Sequence, residues 1–244
     1  MPFRLPAQDE KAQYVLSQFD RIARGYDVAN DCISMGMHRL WKRKAVAILL
    51  QGNTGKYLDV CCGTGDLALS IAQKLSSGKV VGLDFSANML DVAKNRELRH
   101  REGGKTAVEL EWINGDALEL PFDKPEFDGA IVSFGLRNVT DYGRAIAEMA
   151  RVVKPGGKVI NLDLGRPEGI IFPPMFKFFF GHIVPIIGQV LQKDRSAYTY
   201  LPESKKNYPD PEGISELFTA AGLADVRHIK LASGSVALTH GTVR

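Results

Sequence analysis

Asp59-Val60-Cys61-Cys62-Gly63-Thr64-Gly65-Asp66 is the stretch on which the reading of the fold turns. An apolar run, Lys56–Val60, leads into it and an apolar helical pattern, Leu67–Leu75, leaves it, so it reads as a strand-to-helix turn. Gly63 and Gly65 carry no Cβ, which lets the backbone turn tightly and come close to a ligand. The same grammar repeats downstream. Short apolar runs at Lys79–Asp84, Val108–Asn114, Phe127–Ser133 and Lys158–Leu164 alternate with helical patterns at Ser86–Arg101 and Asp141–Val153. A helix near Gly213–Ala221 then precedes two more runs, Asp225–Lys230 and Ser235–Val243. Strands alternating with helices predict an α/β protein, doubly wound about a mostly parallel seven-stranded sheet. Upstream, Val15, Phe19, Ile22 and Tyr26 recur at helical spacing, and a second helix is expected over Met37–Leu50 with Leu40, Trp41, Ala45 and Ile48 on its apolar side. Residues 1–52 are thus an N-terminal helical cap. Residues 165–212, rich in Phe, Ile and Pro, are a late helical insertion, and 1–244 is a single domain.

Composition excludes several classes. Of 244 residues, 45% are hydrophobic and 24% charged, ordinary globular proportions that leave no room for disorder or a fibrous repeat. A net charge of +3 does not announce a nucleic-acid binder. Cys32, Cys61 and Cys62 form no C-x-x-C pair, and no histidine is spaced as a metal ligand, so a reducing compartment and no metal are expected. The first twenty residues hold no apolar run, and Phe178–Gln192 falls short of the about 20 residues a spanning helix needs, so the expectation is a cytoplasmic protein without a signal peptide or membrane span.

Two cofactors compete for the glycine loop. Gly63-Thr64-Gly65-Asp66-Leu67-Ala68 satisfies the G-x-G-x-x-A dinucleotide fingerprint, with Asp84 19 residues after Gly65 as the ribose acid. Yet Asp66 opens the helix where a pyrophosphate would sit, and Asp59 closes the strand beneath it. Two carboxylates oppose that anion. S-adenosylmethionine has no phosphate and carries a sulfonium and an ammonium, so electrostatics favours the methyl donor. Asp84 then stands to accept from both ribose hydroxyls, and Asp116-Ala117, after the third strand, to meet the adenine edge. Each alone also fits ordinary strand-end chemistry.

Asp59–Asp66, Val81-Gly82-Leu83-Asp84, Asn114-Gly115-Asp116-Ala117 and Lys154-Pro155-Gly156-Gly157 resemble the class I, Rossmann-like S-adenosylmethionine-dependent methyltransferases. A narrower resemblance lies in Ser133-Phe134-Gly135-Leu136-Arg137-Asn138-Val139, which looks like a signature of the ubiquinone/menaquinone biosynthesis C-methyltransferase family. Phe19–Ala23 with Tyr26, Asp27 and Asn30 resembles that family's N-terminal signature, and Tyr198, Tyr200 and Leu201–Ser204 its late one. Cys61 departs from the pattern, standing where many members have the loop's first glycine. The resemblance implies that Thr64, Asp84, Asp116, Ala117 and Ser133 contact the methyl donor, with Tyr26, Asp59, Gly63 and Gly65 completing its site. It also implies a prenylated quinol as acceptor, a demethylmenaquinone-like ring or, in some relatives, a ubiquinone precursor or a phytyl naphthoquinone.

Chemistry narrows the acceptor's form. An oxidised quinone ring is electrophilic, so the methyl acceptor is the reduced quinol, activated by losing a hydroxyl proton. Arg137, just past the fourth strand, cannot be a direct base but can stabilise the quinolate oxygen or orient a water, its bland alternative being an exposed strand-end arginine. Asn138 is expected to hold the other ring oxygen or to cap a turn. Tyr26 either closes over the methyl donor or belongs to the core. His38 and His100 read as solvated and His228 and His240 as structural; only His182, inside the apolar insertion, is placed to approach a substrate, and there too a structural role is the favoured reading. Cys61 and Cys62 read as loop packing. Ile170–Phe180 and Ile183–Leu191 either line a pocket for an isoprenoid tail or pack two lid helices. With Lys177, Arg39, Lys42, Arg43 and Lys44 they also suggest peripheral contact with a membrane surface. Beside the quinol, a homodimer is the other partner expected.

Overall fold

The computed structural model describes residues 8–102, 107–170, 172–184, 186, 189 and 207–244. In chain order come α1 (Gln8–Ile22), a 3-10 turn (Ala23–Gly25), α2 (Tyr26–Ser34), α3 (His38–Leu49), β1 (Thr54–Val60), α4 (Asp66–Ala72), β2 (Ser77–Asp84), α5 (Ala87–Glu102), β3 (Val108–Asn114) and β4 (Phe127–Ser133). A second 3-10 turn (Leu136–Asn138) precedes α6 (Tyr142–Val152), β5 (Val153–Leu164), α7 (Phe172–Phe178) and a π-helical turn (Phe179–Ile183). The chain closes with α8 (Pro211–Ala220), β6 (Ala224–Leu231) and β7 (Val236–Thr242).

The strands form one seven-stranded sheet in the order β3-β2-β1-β4-β5-β7-β6. Every neighbour pair from β3 to β5 is parallel, and β7 runs antiparallel between β5 and β6. This is the doubly wound, mostly parallel architecture expected. Leu58–Val60 and Ala130–Val132 are buried without a polar interruption other than Asp59, because helices cover both faces of the sheet. On one face α3 and α4 bury Ala45, Val46, Leu49, Leu67 and Ile71 against Tyr57, Val80, Ile131 and Ile160. On the other, α6 and α8 bury Ile146, Met149, Ile214 and Phe218 against Leu58, Val81 and Val132. Each such side chain contributes about 1.5–3 kcal/mol. Asp141 caps α6, accepting from the Arg144 N–H at 2.9 Å, and Asp210 caps α8, accepting from the Gly213 N–H at 2.8 Å.

Boundaries differ most from expectation at two places. The helix expected to run through Tyr26 breaks at Ala23–Gly25, and a further helix, α2, begins at Tyr26 and is capped after Ser34 by Met35, whose φ is +51°. The strand expected over Lys158–Leu164 instead begins at Val153, with a register shift against β4 between Phe127 and Gly129. A third small core of Ile22, Ala23, Ala29, Met89 and Val184, with Phe179 against it, joins the N-terminal cap to the insertion. Together they roof the carboxyl ends of the parallel strands. The family-like segment 198–204 lies outside the described residues.

Candidate functional site

Beneath that roof is a cavity of about 510 Å³. It opens where β1 and β4 diverge, the position at which strand order reverses and where open α/β sheets take their ligands. Tyr26, Gly63, Thr64, Asp84, Asp116, Ala117, Ser133, Arg137 and Asn138 all line it, so nine of the residues expected at the site come together. Two do not. Asp59 is 1% exposed behind the wall, and burial raises its carboxyl to about 8, against the opposing pull of Lys42. Gly65 also stands behind the wall. Its φ is +75° and a Cβ there would meet the Trp112 ring at 2.6 Å, so this glycine serves helix-on-strand packing rather than ligand approach.

Asp84 is held by the loop it faces. Its Oδ2 accepts from the Gly63 N–H at 2.7 Å and its Oδ1 from the Ser86 N–H at 2.9 Å. Burial raises its carboxyl, opposed by those two hydrogen bonds. Thr64 Oγ1 donates to Asp27 Oδ1 at 2.8 Å, and Arg96 donates to both Thr64 Oγ1 (2.9 Å) and Asp27 Oδ2 (2.8 Å), tying the cap to the loop. Asp116 Oδ1 accepts from the Leu118 N–H at 2.9 Å. Cys61 has a φ of +55°, in the region that favours glycine, and a Cβ on Gly135 would overlap its own. The departure at Cys61 is therefore accommodated by Gly135. Burial pushes both Cys61 and Cys62 thiols well above their ordinary value, as loop packing requires.

Arg137 is 4% exposed, which removes the exposed strand-end alternative. Its guanidinium donates to Asp163 Oδ1 at 2.7 Å and to the Phe134 carbonyl, while its backbone N–H donates to Asp163 Oδ2 at 3.3 Å. Asp163 was not among the expected site residues, although a carboxylate near the end of an apolar strand, as at Asp84, was a readable signal. Asn138 Nδ2 reaches the Phe134 carbonyl at 3.4 Å, and its Oδ1 is buried with no partner, as is Ser133 Oγ. Both atoms belong to cavity-lining residues, and a buried acceptor without a donor marks a place for a ligand group.

The histidine expectations need correction. His38 is buried and lines the cavity rather than being solvated. Ser34 gives its one hydroxyl proton to the Asn30 carbonyl (2.7 Å), so the 2.7 Å contact with His38 Nδ1 makes the ring the donor. Burial and then Lys42 lower its basicity, keeping it neutral. His100 Nε2 is likewise buried. His182 is exposed, stacks on Phe178 and is absent from the cavity wall. Met175, Phe176 and Phe179 of the insertion do line it.

The sequence model of the ubiE/COQ5 methyltransferase family matches residues 7–243. The chain belongs to that family. It is 40% identical over 234 residues to the demethylmenaquinone methyltransferase of Bacillus subtilis, covering 96% of this chain and 98% of the relative. It is 36% identical over 231 residues to that of Staphylococcus saprophyticus, covering 94% and 96%. Among solved structures it is similar to a SAM-dependent methyltransferase from Thermotoga maritima, with a TM-score of 0.63 and 20% identity over 94% of this chain and 100% of that one. It is also similar to phosphoethanolamine N-methyltransferase 2 of Haemonchus contortus in complex with S-adenosyl-L-methionine, with a TM-score of 0.60 and 17% identity over 83% and 52%. At those identities the likeness is one of fold.

The methyltransferase uses S-adenosylmethionine. Its cavity fits that molecule. Asp84 offers a carboxylate to vicinal hydroxyls, Ser133 Oγ is a buried hydroxyl awaiting a partner, and Ala117 leaves room for a flat base. Asp66, which burial alone would raise, is held below its usual value by Lys42 and Arg96, so it meets a cationic ligand ionised.

Proposed function

We propose that this methyltransferase transfers a methyl group to a ring carbon of a prenylated naphthoquinol, converting demethylmenaquinol to menaquinol. The observation that carries this reading is one cavity lined both by Arg137, Asn138 and the residues expected to hold the methyl donor and by the apolar side chains Met175, Phe176 and Phe179. A ring with oxygens and a long apolar tail needs both. That the relatives are demethylmenaquinone methyltransferases favours a demethylmenaquinone ring over a phytyl naphthoquinone.

S-adenosylmethionine supplies an electrophilic methyl on its sulfonium. The chain's task is positioning. Asn138 Oδ1 accepts from a ring hydroxyl, replacing the hydrogen bond it lacks. Arg137, oriented by Asp163, donates to the ring oxygen as that hydroxyl passes its proton to a water and the ring carbon becomes nucleophilic, and the carbon's own proton leaves to water once the methyl is attached, restoring the aromatic ring. The apolar walls keep water from the reacting methyl. The exposed side chains at the mouth, Met35 (77%) and Met175 (57%), with Arg43, Lys44 and Lys177 nearby in sequence, suit contact with a lipid surface from which the tail is drawn. No helix among the described residues is long and apolar enough to cross a membrane.

The test is methylation in vitro with labelled S-adenosylmethionine and three reduced acceptors: demethylmenaquinol, a demethylated ubiquinol precursor and a phytyl naphthoquinol. Mass spectrometry should show one added methyl, fastest on demethylmenaquinol. Preference for the benzoquinol ring would overturn the assignment.

A further inference from the structure

The 3-10 turn that carries Arg137 and Asn138 is three residues long, too short to use its own last carbonyls in internal hydrogen bonds. Its start is tied to the sheet. Arg137 and Asn138 both donate to the Phe134 carbonyl, and Asp163 of β5 accepts from the Arg137 guanidinium and N–H. Its end is tied to the cap. Lys11, on α1, donates from Nζ to the Val139 carbonyl at 2.6 Å and to the Arg137 carbonyl at 3.3 Å. The same ammonium stands 5.3 Å from the centre of the Tyr142 ring, where α6 begins.

Two features set this lysine apart from a solvated surface charge. It is half-buried, and burial lowers its basicity, so acceptors must replace the water its ammonium has lost. Two carbonyls and a ring face do so. The helix it stands on is also a wall of the cavity. Ala12, Val15, Leu16 and Phe19 line it, and Lys11 stands one turn before Val15, at the end of that face. Lys11 itself is not in the wall, so what it touches is the backbone of the turn rather than a ligand. The Arg137 carbonyl and the Arg137 side chain share one Cα. A shift of the turn therefore moves the guanidinium and the neighbouring Asn138 amide together.

We propose that Lys11 is a positioning residue for methyl transfer: by holding the Arg137 and Val139 carbonyls it sets the Arg137 and Asn138 side chains at the acceptor's oxygens. The acceptor site is complete only when α1 is seated, which couples closing of the cap to chemistry. The inference rests on the roles given above to Arg137 and Asn138.

Single-turnover methylation of demethylmenaquinol and calorimetry with S-adenosylmethionine, both on the whole protein, separate the outcomes. Lys11→Met should lower the methylation rate about ten- to a hundred-fold, the scale for displacing a reacting group by about 1 Å, and leave donor affinity as it was. Lys11→Arg keeps the charge and can span both carbonyls, so it should recover most of the rate. Lys11→Gln, a shorter polar chain, should repeat the loss and decides the matter if Lys11→Met fails to fold. In a protein already carrying Arg137→Met and Asp163→Asn, Lys11→Met should cost far less than in the unaltered one, because groups that act as a unit are not additive. A full rate in Lys11→Met, beside a slow Arg137→Met, Asp163→Asn protein, would overturn the assignment of Lys11 alone. A full rate in both would overturn the role of Arg137 with it. A folded Lys11→Met protein that loses donor affinity as much as rate would make the lysine a fastener of the cap and overturn its positioning role.

Discussion

Arg137 and Asp163 show how a single contact joins stability to chemistry. Their pair is buried at 2.7 Å, with Asp163 also accepting from the Leu164 N–H at 2.8 Å. Removing the cation strands a buried carboxylate, so Arg137→Ala should cost about 3–5 kcal/mol of stability as well as turnover. Arg137→Met with Asp163→Asn should regain much of that stability in urea melts while methylation stays low. Recovery of turnover along with stability would reduce the arginine to scaffold. Asp59 tests the opposite situation, a buried acid with Oδ2 lacking a partner. Its folded value of about 8 lies above the ordinary 3.8, so the folded state holds a proton that the unfolded state releases. Stability from this group is present below about pH 4 and is lost as pH rises from there through 8, at up to about 1.4 kcal/mol per pH unit. Asp59→Asn should flatten that slope and be the more stable protein at pH 8, read from urea midpoints at pH 5 and pH 8. An unchanged slope would show that Asp59 is ionised in the fold.

At the scale of elements, sheet strands were legible and the roof was not. β4 begins and ends where its apolar run does, because a strand covered on both faces must be largely apolar, and the edge strand β3 was legible from its alternation of apolar and polar residues. That Thr64, Asp84, Asp116 and Ser133 would meet in one cavity was legible for a related reason: a doubly wound sheet brings its strand ends to one crevice. Asp59 and Gly65 misled because the side of a turn that faces a ligand depends on tertiary packing, here the Trp112 ring under Gly65. His38 misled because its neighbours Arg39, Lys42, Arg43 and Lys44 suggest a solvated face, whereas the helix turns His38 and Lys42 inward under the cap. The insertion mixes both cases. Met175, Phe176 and Phe179 line the cavity, while Phe178 is 59% exposed. Met175→Ser with Phe179→Ser should therefore raise KM about tenfold or more for a long-tailed naphthoquinol, and far less for a short-tailed one. Phe178→Ser should spare both constants and loosen binding to anionic vesicles in a sedimentation assay. Equal losses for both tail lengths would leave α7 as scaffold.

The whole molecule is a rigid sheet carrying a roof fastened by polar latches. Asp20 accepts from Ser86 Oγ at 2.5 Å, Asp27 accepts from Thr64 and Arg96, and Lys42 pairs with Asp66. Each latch joins a cap element to a loop or helix at the carboxyl ends of β1 and β2, the rim of the cavity. Among the described residues, the core that joins cap and insertion holds five buried side chains, against the two extensive cores on the sheet faces. Few buried apolar contacts and several surface-reachable polar ones define a region that opens on its own before the fold does. A roof of this kind suits an enzyme that must admit a large donor and release its demethylated product from a closed cavity. Asp27→Ala removes one latch without touching the sheet. It should speed amide exchange in α2 about tenfold, the scale for losing a charged hydrogen-bond partner, and leave β1 and β4 unchanged. Added S-adenosylmethionine should restore much of the protection, because its cavity is walled by cap and loop together and binding stabilises the closed form by mass action. Exchange that quickens across β1 and β4 as well would mean that cap and sheet open as one unit, and unchanged exchange in α2 would mean that Asp27 fastens nothing.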